Sequence, residues 1–432
     1  MLLIVVWILF DNLQQFLTIN PEFMRRNIYI LILFAIISGT AAAGGYQVGL
    51  HGQKQIGMGL VGTSLAWDAS CMFYNPGALS FTTQKFSFAA GVSPIRSITK
   101  FQKTAPSVYE ATTKNKLGTP FYFYGAARIN KFMNVGLAIN TPYGNSLNWG
   151  KEWAGRYLIT DLKLQAIFFQ PTLSVKLNEF VGIGLGIVYA TGDVELNKAL
   201  PVSGANGDGT VSISGKTHNW GFNAGIFIKP TAKLSIGIDY RSKIMMDIKG
   251  GDANFVVPAS LSGNFPSHNK VSTSLPLPGN LDFGASYEFS DKLTLAFSIN
   301  KVFWHAYDTL SFDFETNTPA LVDSKGPRSY KNTMIYRLGL QYKTCSFFTF
   351  RVGGYYDPSP VNNMYFSPET PSLDNVGLSA GFSIVPVKNL SIDISFLYLM
   401  GKETAVTYAP DNFSGKYKSR TYIPGFGLTY NF

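Results

Sequence analysis

The chain predicts an all-β fold, a 14-stranded antiparallel transmembrane β-barrel with an N-terminal hatch plugging the lumen. Three observations carry this. Only 14% of the residues are charged while 46% are hydrophobic and 15% aromatic, against about 25% charged in ordinary globular proteins. Alternation of apolar with polar or small residues recurs from Lys85 to the C-terminus. Tight and long connections between these stretches also alternate, as in outer-membrane barrels. Bundled transmembrane helices are excluded, because the two apolar runs, Met1 to Phe10 and Ile28 to Ile37, are shorter than the roughly 20 residues a spanning helix needs. The 34 Phe, 23 Tyr and 6 Trp exclude intrinsic disorder.

Taken in order, Met24-Arg25-Arg26-Asn27, the apolar run Ile28 to Ile37 and Ala41-Ala42-Ala43 form a secretory signal peptide over 24–43. Residues 1–23 stand upstream of it, with Met24 expected as the start. Residues 44–84, rich in Gly, Ala and Ser without a clear period, are read as the hatch. Fourteen strands enclose more space than their own side chains fill. Residues 85–432 are read as the barrel.

Representative strands are Val181, Ile183, Leu185, Ile187, Tyr189, with Gly182, Gly184 and Gly186 on the other face, and Leu390, Ile392, Ile394, Phe396, Tyr398. An apolar band closed by an aromatic suits a lipid-facing row. Short turns are expected at Asn130 to Asn134, Asn178 to Phe180, Pro230 to Ala232, Ser290 to Lys292, Lys343 to Ser346 and Pro386 to Lys388. Long loops are expected at 93–118, 142–159, 195–215, 248–279, 314–329, 357–374 and 401–420. The short turns and both termini then face the periplasm. The last strand, Phe426, Leu428, Tyr430, Phe432, ends on an aromatic residue, like the signal that barrels present to the barrel assembly machinery.

The net charge of +10 is dispersed, whereas a nucleic-acid binder clusters its Lys and Arg on one face. It favours anionic surfaces or anionic small ligands. Cys71 and Cys345 have no metal-ligand spacing, and the four His, at 51, 218, 268 and 305, have none either. No cofactor and no metal are expected. Gly57, Gly59 and Gly62 fit a dinucleotide fingerprint in letters only, since no strand precedes them.

A family resemblance rests on Gln53, Gly57-Met58-Gly59, Ala66-Trp67-Asp68-Ala69-Ser70 and Tyr74-Asn75-Pro76-Gly77-Ala78-Leu79, followed by Thr141-Pro142-Tyr143-Gly144, Trp153-Ala154-Gly155-Arg156-Tyr157 and Gln170-Pro171-Thr172-Leu173-Ser174. In this order the blocks resemble the outer-membrane long-chain fatty acid transporter (FadL, toluene-porin) family. One departure stands out: the family usually has Asn-Pro-Ala where this chain has Asn75-Pro76-Gly77. The resemblance implies passive transport of hydrophobic compounds through a barrel plugged by its hatch. Ligand is then caught among outer loops, passes to a lumenal pocket and leaves sideways beside a kinked third strand. The expected third strand, Val135 to Thr141, runs into Pro142, which removes a ladder donor. Pro142 then marks either an ordinary strand end or the gap, and in the second case Gly136, Thr141, Pro142 and Tyr143 are the candidate lateral exit; Asp68, Ser70, Asn75, Pro76 and Gly77 are the hatch residues.

Alternation turns Arg128, Lys163, Asp239, Arg241, Asp282, Glu288, Arg337, Arg351 and Asp393 toward the lumen, either as a salt-bridge network around the plug or, for Arg337 and Arg351, as a carboxylate-headgroup site. Loop 248–279 carries Phe255, Val256, Val257, Leu261 and Phe265, either a capture surface or the loop's own small core. The expected partners are a fatty acid or aromatic hydrocarbon, outer-membrane lipid with lipopolysaccharide, and the assembly machinery, the protein being a monomer in a Gram-negative outer membrane. The rival reading is a structural or adhesive barrel with a closed plug, and an enzyme comes third.

Overall fold

A computed structural model describes residues 45–103, 108–204 and 207–432. The expected signal peptide over 24–43 and the residues before it lie outside the described residues. The strands are β1 (Phe86–Val92, continued by Arg96–Lys103), β2 (Phe121–Arg128), β3 (Met133–Asn148), β4 (Asp161–Lys176), β5 (Val181–Gly204), β6 (Gly207–Ile228), β7 (Leu234–Arg241, continued by Ile244–Val256), β8 (His268–Leu277, continued by Asn280–Glu288), β9 (Leu293–Val302), β10 (Thr333–Lys343), β11 (Phe348–Asp357), β12 (Asn375–Val387), β13 (Leu390–Gly401) and β14 (Phe413–Asn431). Each pairs antiparallel with its neighbour in sequence, and β14 pairs back to β1, from Ser87↔Asn431 through Arg96↔Tyr422 to Lys103↔Gly415. Phe86 and Phe432 exchange N–H···O bonds of 2.7 and 2.9 Å at the start of that seam. The result is a closed 14-stranded antiparallel barrel, which leaves no free sheet edge in lipid.

Strand parity follows the sequence rows. Leu185 and Ile187 are exposed on the outside, Val188 and Ala190 buried inside. Aromatic pairs close the apolar band, with the Tyr189 and Trp220 rings 4.8 Å apart and those of Tyr398 and Tyr422 5.1 Å apart. The expected short turns all join consecutive strands at one end of the barrel.

The long loops differ from expectation. Segment 195–215 is mostly ladder: β5 and β6 continue as a paired ribbon to Gly204↔Gly207. Beyond the apolar band the outward residues become Asp193 and Glu195 while Val194 and Leu196 still face in, so a search for apolar alternation loses the strand there. For the same reason β7 runs on to Val256, β8 begins at His268 and Arg96–Lys103 prolongs β1. The connection after β9 holds a small hairpin, Thr309–Phe314 with Ser324–Pro327. Lys163, expected in the lumen, points outward and lies 3.5 Å from Asp193. The third strand is neither short nor ended by Pro142; it spans Met133–Asn148 with a bulge between Asn140 and Tyr143.

Residues 45–84 lie inside the barrel as short turns of helix, Gln53–Gly57, Cys71–Tyr74 and Pro76–Phe81, with Ile56, Met58, Val61, Ala69 and Leu79 fully buried. The glycine rows of the strands explain how backbone meets backbone. A Cβ on Gly237 would fall 1.9 Å from the Thr63 carbonyl oxygen, and one on Gly339 2.1 Å from that of Met58. Larger residues there would push this segment off the wall.

Candidate functional site

The site forms where β3 changes phase. The β2–β3 ladder runs from Arg128↔Asn134 to Tyr122↔Asn140 and stops. Phe121 N then donates to the Thr141 hydroxyl at 3.0 Å rather than to a backbone carbonyl, and Pro142 has no N–H to offer. The bulge adds one residue, so Tyr143 turns inward and is buried, while β3 stays paired to β4 from Tyr143↔Ala166 to Asn148↔Asp161. On its other edge the start of the buried N-terminal segment takes the released groups: Val48 N donates to Pro142 O at 2.8 Å and Gly144 N to Tyr46 O at 3.0 Å. The wall closes again where Lys114 N donates to Asn148 O at 2.7 Å. Between these closures lies a window framed by Gly118 to Pro120 on one side and Tyr143 to Leu147 on the other.

A cavity of about 450 Å³ stands behind the window. Its lumenal wall is Leu50, Leu60, Arg337, Tyr355, Leu397 and Leu399, and its outer end is lined by Leu117, Gly118, Pro120, Gly144 and Ser146. Thr370 and Pro371 roof it, because loop 358–374 folds inward: Glu369 O accepts from Asn145 Nδ2 at 3.2 Å, the Glu369 carboxylate pairs with buried Arg328, and Ser372 Oγ accepts from Gly45 N at 3.0 Å. Across that roof a drier cavity of about 80 Å³ is lined by Leu164, Leu275, Leu277, Leu310 and Phe312. A small polar cavity of about 50 Å³ lies beneath the bulge among His51, Tyr74, Asp239, Arg241, Asp282 and Arg337.

The expected residues divide among these places. Thr141, Pro142 and Tyr143 form the bulge, whereas Gly136 lies lower on β3, where a Cβ would strike the Met72 side chain at 2.5 Å. Asp68 accepts from Lys54 at 2.6 Å and from the Ser70 amide at 2.9 Å. Burial pushes the Asp68 carboxyl up, but Lys54 and Ser70 outweigh it and hold the group below the usual carboxylate range. Asn75 Nδ2 donates to the Thr63 and Ile226 carbonyls, each at 2.9 Å, and its Oδ1 accepts from Gly77 N at 3.0 Å. A Cβ on Gly77 would lie 2.8 Å from the Gly182 and Gly225 carbonyl oxygens, so the glycine after Pro76 lets the turn sit directly on the wall. Arg337 and Arg351 are not brought together: across the β10–β11 ladder Arg337 faces Tyr355 while Arg351 faces Gln341. Arg337 borders both the large and the polar cavity, bonds Asp282 at 3.3 Å, and its Nε has no protein partner among the described residues. Arg351 is buried, donates to Gln341 Oε1 at 2.8 Å and to the Ser383 hydroxyl, and lies over Trp67. Phe255 packs with Val211, Ile213, Phe314 and Phe265, so these aromatics form a loop core. Val257 and Leu261 stay half-exposed at its edge, and none of the four lines a cavity described above.

The family model described as outer membrane protein transport protein (OMPP1/FadL/TodX) matches residues 34–432. The chain belongs to that family. Similar relatives of the OMPP1/FadL/TodX family include a long-chain fatty acid transport protein of Salmonella typhi, 24% identical over 93% of this chain and 97% of its own length, and outer membrane protein P1 of Haemophilus influenzae, 23% identical over 92% and 96%. Among solved structures, a Pseudomonas aeruginosa FadL homologue has a TM-score of 0.79 at 20% identity, covering 90% of this chain and 100% of its own. The Ralstonia pickettii toluene transporter TbuX has 0.69 at 17%, covering 88% and 98%. The fold is thus shared across the family, and the protein is an outer-membrane transport barrel of a Gram-negative type.

Sequence reading missed Tyr46 and Val48, which supply the bonds at the bulge, and the inward fold of loop 358–374. Two prolines, Pro120 and Pro142, at the same level of adjacent strands were the available signal for a gap with two missing donors.

Proposed function

We propose that the protein passes long-chain fatty acids or other hydrophobic molecules passively from the long-loop end into the 450 Å³ cavity and out sideways through the window between β2 and β3. The observation that carries this is the continuity of that cavity from lumenal residues Leu397 and Leu399 to the rim residues Leu117, Gly118 and Gly144. Its volume falls in the range of about 300–1,000 Å³ typical of small-molecule sites. Relatives named for long-chain fatty acid transport and for toluene transport agree with an apolar cargo. No chemistry is required of the protein, and no cofactor.

Arg337 is the headgroup residue in this reading, because its side chain lines the cavity, and Arg351 is a structural tie between the wall and Trp67. Residues 45–84 act as the hatch, and the long loops face the cell exterior. Val257 and Leu261 offer apolar surface at the rim of the outer loops. Phe432, paired to Phe86, completes a C-terminal strand suited to recognition by the assembly machinery, and each barrel serves as a monomer. Uptake of labelled oleate and of toluene into liposomes carrying the purified protein tests the reading. Accumulation of either above empty liposomes is expected. Rates equal to empty liposomes for both would leave a closed structural barrel instead.

A further inference from the structure

Charges on the outer wall follow two patterns. On β4 to β8, opposite signs face each other across the ladder: Lys163 stands across from Glu195, Asp193 across from Lys216, and Asp252 across from Lys270, the last pair in contact at 2.6 Å. At the seam of β14 and β1, like signs face each other. Lys100 stands directly across from Lys418, an arrangement that destabilises an antiparallel pair. The outward row of β14 runs from the exposed lipid band, Tyr430, Leu428 and Phe426, through Tyr422 to Arg420, Lys418 and Lys416. Arg96 and Lys100 continue the patch on β1, and Lys402 lies just past the end of β13. Tyr422 stacks on Tyr398 at the aromatic level, so Arg420 and Lys418 follow about 7 and 14 Å further along the strand at roughly 3.4 Å per residue. Among the described residues, the acid that ion pairs bring to the patch is Glu403, stretched between Lys416 at 3.9 Å and Lys418 at 3.7 Å.

A chain that pairs its outer charges elsewhere leaves this face basic, with Glu403 set against Arg96, Lys100, Lys402, Lys416, Lys418 and Arg420, and places that charge beyond the aromatic level. We propose that the β14–β1 face binds the phosphorylated headgroup of lipopolysaccharide in the outer leaflet. The acyl chains would lie along Phe426 and Leu428, and the phosphates would reach Arg420, Lys418 and Lys100 through charge-assisted hydrogen bonds. The patch is not a cargo site, because its side chains point outward on the row that carries the lipid band. A dissolved anion would need no such height, whereas a lipid fixed by its chains presents phosphate just above the aromatic girdle. The proposal rests on the long loops being exterior. That is checked separately by labelling Asn363→Cys on whole cells with an impermeant thiol reagent, so a failure of sidedness is distinguishable from a failure of the site.

The test compares the full-length protein in mild detergent with the variant Lys100→Gln/Lys418→Gln/Arg420→Gln and with a charge-matched control, Lys163→Gln/Lys216→Gln/Lys270→Gln. All three are confirmed as folded by heat-modifiable gel mobility. Binding of lipopolysaccharide, of the same lipopolysaccharide after phosphatase treatment, and of phosphatidylglycerol is read by native mass spectrometry. The seam variant should lose affinity for lipopolysaccharide by a factor of ten or more, the control should stay near the parent, and phosphatase treatment should weaken the parent to the level of the seam variant. Equal loss in both variants, parent-like binding by the seam variant, or phosphatidylglycerol binding as tight as lipopolysaccharide would each overturn the proposal. Thermal unfolding gives a second sign. Lys100→Gln should raise Tm without lipopolysaccharide, by lifting repulsion, and lower it with lipopolysaccharide present; an unchanged or reversed order contradicts it.

Discussion

The two seams that flank β1 and β2 are built on the same antiparallel rule and end differently. Between β14 and β1 the same register holds on both segments of β1, from Phe86 and Phe432 to Val92↔Phe426 and again from Arg96↔Tyr422 to Lys103↔Gly415. Between β2 and β3 the register stops at Tyr122↔Asn140, and the freed groups of Pro142 and Gly144 are taken by Val48 and Tyr46 from inside the barrel. A barrel wall in lipid cannot leave backbone groups unpaired at a cost of several kcal/mol each. The difference teaches that an opening is tolerated where a segment in the lumen satisfies its rim. Hatch and window are one device.

Breaking that device at the hatch should have the largest effect. Deleting residues 45–84 strips β3 of its inner partners and empties the lumen, so planar-bilayer conductance should rise several-fold with polar solutes admitted, while the β14–β1 seam stays closed. Unchanged conductance would move the plug to loop 358–374. Lys54→Met comes next. It leaves the Asp68 and Asp393 carboxylates, 2.6 and 3.8 Å from Lys54 Nζ, without their shared cation. Removing one partner of a buried pair costs about 3–5 kcal/mol, to be seen as a lower Tm and early proteolysis of the N-terminal segment, and a silent variant would show the pair to be dispensable.

Smaller changes sharpen the comparison at the window. Arg337→Met removes a charged hydrogen-bond donor worth about 1.5–3 kcal/mol, so half-saturation for oleate should rise about tenfold or more while toluene uptake is unchanged. Equal loss for both cargoes would mark Arg337 as structural. Pro142→Val restores one donor, about 1 kcal/mol as a net hydrogen bond, and should slow uptake modestly because one bond does not close the gap. The corresponding Pro424→Val on β14, outside the gap, should leave uptake unaltered. The Lys54–Asp68 tie should show no change between pH 5.5 and 8. Asp68 is held below its ordinary pKa and Lys54 above its own, so the stability from the carboxylate is present above pH about 4 and is lost only as pH falls further. A conductance step near pH 6 would point to a titrating group elsewhere at the hatch.

Much of this was readable from residues alone, for reasons that also show where reading stops. The turns at Asn178 to Phe180 and Ser290 to Lys292 lie between strictly alternating rows, and both rows end on the membrane boundary, so pattern and geometry coincide. The β5–β6 ribbon beyond Tyr189 was lost because its outward residues answer to water, not lipid. The bulge was half legible: Pro142 announces a missing donor, yet whether a strand ends or slips by one depends on what lies across from it, and Tyr46 is almost a hundred positions away in sequence. The positions of Arg337 and Arg351 on adjacent strands suggested one site, but ladder register sets their levels four residues apart, and only the register could say so.

The claim that the window is the exit is tested most directly by tying it shut. In a Cys345→Ser background, Thr119→Cys and Asn145→Cys place thiols on the two sides of the opening, bridged by a short bifunctional thiol reagent and verified by mass spectrometry. The bridged protein, still heat-modifiable, should lose most of its oleate uptake into liposomes, and the same protein before bridging should transport at the parent rate. Parent-rate uptake by fully bridged protein would contradict lateral exit at β2–β3 and leave a path past the hatch.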